Sequence, residues 1–196
     1  MKTNSKHLGL VTKKFNEFFF VDLKNKENFG NSERFLCKVR KSINFKDQFI
    51  YVGDEVEIDN IDLKSKRAVI ASLKKRQNLL NRPSVANISN IYITFSVEEP
   101  KLNLSQVNRF LISAESMGVE VSLVLTKCDL ISDKKQIFLL DKFKKWGYQA
   151  IILNLYKSDQ FEDLLAQLKK KKCSIFMGPS GVGKTTLLNK IIPGLQ

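Results

Sequence analysis

The sequence predicts two domains of different classes, a small all-β barrel followed by an α/β domain with a parallel sheet. Short alternating apolar stretches occupy the first third of the chain, whereas strand-like and helix-like stretches alternate after it. Near the end, residues 178–185 match the phosphate-binding pattern G-x-x-x-x-G-K-[ST]. We therefore predict a barrel at residues 1–76, a linker at residues 77–86 and an α/β domain at residues 87–196.

The composition is that of a globular protein with a polyanionic partner. Of 196 residues, 43% are hydrophobic, which is ordinary for a chain that buries a core, and the formal net charge is +13. This charge favours RNA as a partner, although lysine enrichment alone would also produce it. No apolar run approaches the roughly 20 residues that cross a bilayer, and no signal segment is evident. We expect a cytoplasmic protein, with no membrane partner and monomeric by default.

Cysteine and histidine usage predicts reduced thiols and no zinc site in this chain. Cys37, Cys128 and Cys173 are scattered along the sequence, and His7 is the only histidine. Because the paired Cys-x-x-Cys spacing of zinc sites is missing, the thiols are expected to be buried and reduced.

About five short strands are predicted for the barrel, which is the number in a closed barrel of the OB type, a common reader of oligonucleotides. The strand-like stretches are residues 10–12, 18–23, 34–40, 51–58 and 67–73. The first two suggest a hairpin that turns at residues 13–16. Aromatic side chains here are expected mainly in the core, with base stacking as the alternative. They are Phe15, Phe18, Phe19, Phe20 and Tyr51.

One face of the third predicted strand is basic and is a candidate RNA contact. Arg34, Lys38 and Arg40 alternate with Phe35 and Cys37, so the two sets project to opposite faces. A solvated strand face would show the same pattern.

After residue 87 the pattern changes to strands that alternate with helices. The strand-like stretches are residues 90–97, 119–125, 150–155 and 175–177, and the helix-like stretches are residues 105–117, 134–146, 160–172 and 185–192. Ser105 is the predicted N-cap of the first helix. Strict alternation with apolar strands predicts a parallel sheet covered on both faces, with ligands beyond the carboxyl ends of its strands.

The glycine-rich segment near the end predicts a nucleotide phosphate site. Its residues are Gly178, Pro179, Ser180, Gly181, Val182, Gly183, Lys184, Thr185 and Thr186. The glycines allow backbone N–H groups to approach a phosphate, and the next helix adds the partial positive charge of its N-terminus. Lys184 and Thr185 are the catalytic candidates, because the lysine reaches the β- and γ-phosphates and the threonine hydroxyl binds Mg²⁺.

A second element, Thr126-Lys127-Cys128-Asp129, resembles the [NT]-K-x-D motif with which GTPases recognise guanine. A carboxylate at Asp129 accepts hydrogen bonds from the N1–H and 2-amino groups of guanine, whereas adenine offers neither donor. The stem of Lys127 can lie across the base and tie the motif to the phosphate loop. Asn154 and Leu155 are further base-contact candidates, although they depart from the Ser-Ala pattern of GTPases.

The base motif precedes the phosphate loop, which reverses the order of ordinary GTPases and resembles the RsgA family of circularly permuted GTPases. The segments that carry the resemblance are residues 52–56, 76–83, 108–111, 126–130 and 178–186. The resemblance implies a GTPase that uses GTP and Mg²⁺ and acts in the maturation of the small (30S) ribosomal subunit. It also implies that the OB domain binds the 16S rRNA of that subunit.

The family pattern continues beyond the phosphate loop with switch segments, a D-x-x-G element and a zinc-binding domain. None of these lies within the 196 residues. We therefore expect an incomplete GTPase domain, truncated after the phosphate loop, which hydrolyses GTP poorly or not at all. Zinc is expected only in a full-length family member.

Two other functions are compatible with the same residues. The phosphate loop also resembles that of guanylate kinases, a class of nucleoside-phosphate kinase, but in those enzymes the loop opens the chain. A non-catalytic RNA-binding protein would use only the barrel and the basic linker.

Overall fold

The computed structural model describes residues 2–3, 5–23, 33–40, 49–154 and 159–192. The chain divides into two compact units, Met1–Ile88 and Ser89–Gln196. The predicted fold classes are confirmed, since the first unit is a β-barrel and the second has a parallel sheet with helices.

Six strands form the sheet of the first unit: β1 (Lys2–Thr3), β2 (His7–Phe15), β3 (Phe18–Leu23), β4 (Arg34–Val39), β5 (Glu55–Asp62) and β6 (Arg67–Leu73). The order β5-β2-β3-β4-β6 closes into a barrel because β5 also pairs with β6. Neighbours along this order are antiparallel except β4 and β6, which are parallel. This five-stranded closed arrangement is of the OB type.

The barrel core follows from the alternation of apolar residues along its strands. Phe35 and Cys37 of β4 are fully buried, as the predicted two faces of this strand require. They pack with apolar side chains from every other barrel strand, which include Val11, Phe19, Val21, Val56, Ile58 and Ile70. Of the aromatic residues expected in the core, Phe19 is buried, whereas Phe15 is 61% exposed.

The first hairpin turns at Asn16 and Glu17 and not at residues 13–16. β2 continues to Phe15, which pairs with Phe18 of β3. Asn16 has a φ of 53°, a left-handed conformation that asparagine tolerates in tight turns.

Residues 77–86, where the sequence suggests a linker, contain a two-stranded hairpin that belongs to the first unit. Its strands are β7 (Leu79–Asn81) and β8 (Ser84–Ala86). At the base of the hairpin, the Asn78 side chain accepts from the Ile88 amide at 2.8 Å and donates to the Ile88 carbonyl at 2.9 Å. The polar residues that suggest a linker therefore bond to backbone groups, as asparagine often does at turns.

The second unit contains β9 (Asn90–Ser96), α1 (Leu104–Glu115), β10 (Glu120–Thr126), α2 (Asp133–Lys145), β11 (Ala150–Ile152), α3 (Asp159–Lys169), β12 (Ser174–Met177) and α4 (Lys184–Ile191). The sheet order is β11-β10-β9-β12, and every pair is parallel. All seven residues of β9 are buried, which is expected of a parallel strand covered on both faces.

Helix α1 begins after Asn103, so the prediction of Ser105 as its N-cap is wrong. The Asn103 side chain accepts a hydrogen bond from the Gln106 amide at 3.1 Å and so satisfies one of the free N–H groups of the first turn. Both residue types can cap a helix, and the backbone leaves its extended conformation after Asn103.

Helix α4, which follows the phosphate loop, is held in place by a buried apolar side chain. Leu187 of α4 is fully buried in a cluster with Tyr92 and Leu164, and the rings of Tyr92 and Phe176 stack at 5.1 Å.

Among the described residues, no helix is long and apolar enough to cross a bilayer.

Candidate nucleotide-binding site

Three parallel strands bring the predicted motifs to one edge of the sheet. Thr126, the last residue of β10, lies in register with Ser96, the last residue of β9. Met177 ends β12, the other neighbour of β9, directly before the phosphate loop. Both motifs therefore lie beyond the carboxyl ends of parallel strands, the region where such sheets bind ligands.

The phosphate loop passes very close to β9, and glycine permits its path. A Cβ atom at Gly178 would lie 2.1 Å from the carbonyl oxygen of Thr94, a distance that no side chain tolerates. Gly183 caps α4 with a φ of 90°, in the left-handed region that favours glycine. The strand, loop and helix that the phosphate-binding pattern requires are all present.

The positive charge of Lys184 lies within the phosphate loop. Its ammonium donates hydrogen bonds to the carbonyl oxygens of Gly178, at 2.9 Å, and of Pro179. Ser180, Thr185 and Thr186 are exposed, which leaves their hydroxyl groups accessible to ligand oxygens. The loop therefore offers a cation and three accessible hydroxyl groups at the start of a helix.

A buried hydrogen bond joins the base motif to the phosphate loop. The Thr126 hydroxyl donates to the carbonyl oxygen of Val182 at 2.6 Å and lies 3.3 Å from that of Phe95. Thr126 is fully buried and Val182 is 1% exposed, so water does not compete for this contact. The sequence predicts a connection through Lys127; the hydrogen bond from Thr126, the preceding residue, is a further connection that the sequence does not predict.

The remaining residues of the base motif have distinct environments. Lys127 has a left-handed φ of 56°, and its ammonium donates to the carbonyl oxygen of Glu99. Cys128 is buried, and desolvation raises its pKa to about 11, so its thiol stays neutral. Asp129 lies in the 3₁₀ turn Cys128–Leu130 and is exposed, which leaves its carboxylate accessible to a base.

Residues 97–100 contact the base motif and pass beside the phosphate loop, and the sequence did not predict this. Ser96, which is 1% exposed, donates from its hydroxyl to the Pro100 carbonyl at 2.7 Å and closes this turn. The turn presents the Glu99 carbonyl to the lysine of the base motif, and Pro100 Cδ lies 3.7 Å from the position of a Cβ atom at Gly181. The available signal was a polar Glu-Glu-Pro segment directly after an apolar strand.

Of the two further base-contact candidates, the structure describes only Asn154. Asn154 is 9% exposed and follows Leu153, whose amide donates to the Leu125 carbonyl at 2.7 Å. This hydrogen bond places Asn154 beside the end of β10, where the base motif begins. Leu155 lies outside the described residues.

Two of the three predicted RNA-contact residues already have anionic partners in the barrel. Arg34 donates to both carboxylate oxygens of Asp22, at 2.7 and 3.1 Å, and Arg40 pairs with Asp59 at 2.5 Å. Lys38 forms no ion pair with any described residue, and its ammonium lies 4.6 Å from the centroid of an aromatic ring on β3. Lys38 is therefore the most available cation of the three.

All three cysteines are free thiols. In the part of the chain that the structure describes, no group of three or more His, Cys, Asp or Glu side chains is arranged to hold a metal ion.

Comparison with known proteins supports the resemblance. The family model described as RsgA GTPase matches residues 73–196. The small ribosomal subunit biogenesis GTPase RsgA of Prochlorococcus marinus strain NATL1A is 38% identical over 197 residues, which cover 97% of this chain and 63% of that protein. The protein of the same name from Synechococcus sp. strain CC9605 is 38% identical over 167 residues, covering 85% of this chain and 55% of that one.

Two solved structures share the fold. YjeQ from Thermotoga maritima aligns with a TM-score of 0.84 and 30% identity, over 98% of this chain and 67% of that one. YloQ, a circularly permuted GTPase, aligns with a TM-score of 0.80 and 24% identity, over 95% of this chain and 64% of that one. The chain spans 63% of the length of the two Prochlorococcus relatives that it matches over 97% of its own length. With the family model matching well over half of its residues, the chain belongs to the RsgA GTPase family.

Proposed function

We propose that this chain binds GTP and GDP at the carboxyl edge of its parallel sheet, as part of a cytoplasmic, monomeric GTPase that acts in small ribosomal subunit maturation. The observation that carries the proposal is the buried hydrogen bond from Thr126 to Val182, because it holds a guanine-type motif against a phosphate loop. The names of the curated relatives, small ribosomal subunit biogenesis GTPases, support the biological role.

Each predicted residue has a defined role in this proposal. Asp129 accepts two hydrogen bonds from guanine, and Lys184 with the loop amides neutralises phosphate charge. Thr185 would hold Mg²⁺ together with phosphate oxygens and water, since Mg²⁺ prefers oxygen ligands and the exposed Thr185 hydroxyl lies in the first turn of α4. When bound, the ion neutralises charge on the β- and γ-phosphates.

The barrel is the proposed contact for 16S rRNA. A groove on its surface is lined by two cations, Lys38 and Arg67, by one carboxylate, Asp62, and by apolar side chains that include Phe18 and Leu36. Cations beside apolar and aromatic surface suit a nucleic acid strand. Arg34 and Arg40 contribute to RNA binding only when phosphate displaces their carboxylate partners, so Lys38 contributes most.

The substitution Asp129→Asn tests the nucleotide assignment. Asparagine offers one acceptor and one donor in place of the two acceptors of the carboxylate. The variant should lose about 10- to 100-fold in GDP affinity, the equivalent of one hydrogen bond to a charged group. It should gain affinity for XDP, because xanthine has an N1–H donor and a 2-oxo acceptor that match asparagine.

Displacement of a fluorescent GDP analogue by GDP, XDP and ADP measures these preferences. Asp133→Asn is the matched control, since Asp133 is also an exposed carboxylate but lies at the start of α2. An unchanged guanine preference in the Asp129 variant, or ADP binding as tight as GDP binding, would contradict the proposal. Tight ADP binding would instead favour a kinase.

A further inference from the structure

Helix α2 exposes aromatic side chains on the face that points away from the sheet. Phe138 is 62% exposed, and Trp146, directly after the helix, is 37% exposed. The opposite face of α2 buries Leu139 and Phe143 and so already docks the helix. The ring of Phe138 is therefore not needed to hold α2 in place, whereas the partly exposed ring of Trp146 also packs edge-to-face on Phe143.

Lysines surround Phe138 at helical spacing. Lys134 and Lys142 lie one turn before and one turn after it, and Lys145 lies two turns after it, so all three share its face. The Lys142 ammonium lies 5.9 Å from the ring centroid of Phe138 and 5.8 Å from that of Trp146. We term these five residues the α2 face.

Lysines outnumber acidic residues on the α2 face: Asp141, one helical turn after Phe138 and one turn before Lys145, is the aspartate of α2 that shares this face with the three lysines. Helix α2 contains five lysines and two aspartates. One of its lysines, Lys135, pairs with Glu98 at 2.8 Å. No lysine of the α2 face forms an ion pair with another residue in the described part of the chain. Lys142 and Lys145, which are one helical turn apart, repel each other, and a bound polyanion removes that cost.

We propose that the α2 face binds a single-stranded segment of RNA, with phosphates on its lysines and a base stacked on Phe138. Lysines that neutralise phosphates and aromatic rings that stack on bases are the two components of single-strand binding. A protein partner fits less well, because lysine is depleted in protein–protein interfaces. The inference rests on the proposed function only in taking the RNA to be ribosomal, since the α2 face contains no residue of the barrel or of the nucleotide site.

The charge of the α2 face is tested with the triple variant K134Q/K142Q/K145Q of the full chain. Its binding to a fluorescein-labelled single-stranded RNA oligonucleotide of mixed sequence is measured by fluorescence anisotropy at several salt concentrations. Each lost phosphate contact reduces the slope of log K against log salt by about 0.7 for a single strand, so the slope should fall by about 2.

The matched control is K169Q/K170Q/K172Q, which removes the same charge from exposed lysines at and beyond the end of α3. This control should keep the salt slope of the unmodified chain. Equal slopes for the two triple variants would overturn the proposal, because the effect would then belong to net charge and not to the α2 face.

The stacking component is tested with F138A. Loss of one stacked base should lower RNA affinity by about 5- to 100-fold without changing the salt slope. I112A is the control, because Ile112 is 68% exposed on a different helix, α1. Equal RNA affinities for F138A and I112A would overturn the proposal. Thermal unfolding by circular dichroism confirms that each variant is folded.

A barrel variant, K38Q, separates this inference from the proposed function. Loss of RNA binding in K38Q but not in the α2 variants would overturn the role of the α2 face and leave the barrel proposal standing. Loss in the α2 variants but not in K38Q would support the α2 face and contradict the barrel. GDP affinity, measured in parallel, should be unchanged in all of them.

Discussion

Replacing Thr126 by valine removes the hydrogen bond between the base motif and the phosphate loop while keeping the branched shape of the side chain. The hydroxyl is fully buried and lies 2.6 Å from the Val182 carbonyl oxygen. Because the shapes match, the main cost is a buried carbonyl without its partner, which is about 1–3 kcal/mol. We expect Thr126→Val to destabilise the second unit by this amount.

The only tryptophan, Trp146, makes this loss measurable. Its ring lies 5.5 Å from the ring of Phe143, which is buried in the second unit. Its fluorescence during urea unfolding therefore follows the second unit and not the barrel. The free energy of unfolding should fall by about 1–3 kcal/mol in Thr126→Val, with an unchanged dependence on urea concentration.

GDP affinity provides the decisive comparison with Thr126→Ser. The serine variant keeps the hydroxyl but loses a buried methyl group, so it should lose about 1 kcal/mol of stability and keep its GDP affinity. Thr126→Val should lose GDP affinity. The loss should reach about 100-fold if the whole cost of the unpaired carbonyl falls on the loop conformation that binds GDP. If the valine variant binds GDP like the unmodified chain, or the serine variant loses as much affinity, this hydrogen bond does not organise the site.

Three further predictions follow from close contacts and burial. Gly178→Ala should abolish GDP binding in fluorescence titrations because its Cβ would meet a β9 carbonyl at 2.1 Å. Gly147→Ala, where φ is 88° but nothing lies within 4 Å, should keep it, and equal losses would contradict this reasoning. Arg76→Ala should destabilise the barrel by about 3–5 kcal/mol, measured by circular dichroism, because it leaves the buried Asp54 carboxylate without its two 2.7 Å hydrogen bonds to the guanidinium. A loss of less than about 1 kcal/mol in the free energy of unfolding would show that the Arg76–Asp54 pair does not stabilise the folded barrel. Burial raises the pKa of Cys37 from 9.0 to about 12, so its contribution to stability is complete below pH 9 and is lost as the pH rises toward 12. Urea midpoints should therefore fall less steeply above pH 9 in Cys37→Ala than in the unmodified chain.

Local patterns predicted the strands and the phosphate loop because their causes are local. The alternation of Phe35 and Cys37 with polar residues determines which side of β4 faces the core. The phosphate loop was recognisable because Gly178 lies where a side chain has no room and Gly183 has a left-handed φ that favours glycine. The order of the base motif and the phosphate loop was sufficient to indicate the family, which the comparisons confirmed.

Contacts between residues that are far apart in the chain could not be predicted from the sequence. The ion pairs of Arg34 and Arg40 join residues that are far apart in the chain, so the predicted basic stripe could not be recognised as largely paired. The hairpin β7–β8 was missed because its polar composition is equally typical of a linker.

The sequence by itself determined the classes of the two units, the residues of the phosphate loop and the presence of a guanine-type motif upstream of it. These features depend on short-range periodicity and on backbone conformations that few residue types accept. Only the tertiary structure decided that Thr126 donates a hydrogen bond to the phosphate loop, that residues 97–100 contact the base motif, and that Phe138 remains exposed among lysines. Each of these depends on which strands are neighbours and which helix face the sheet covers, and both are set by packing across the whole unit.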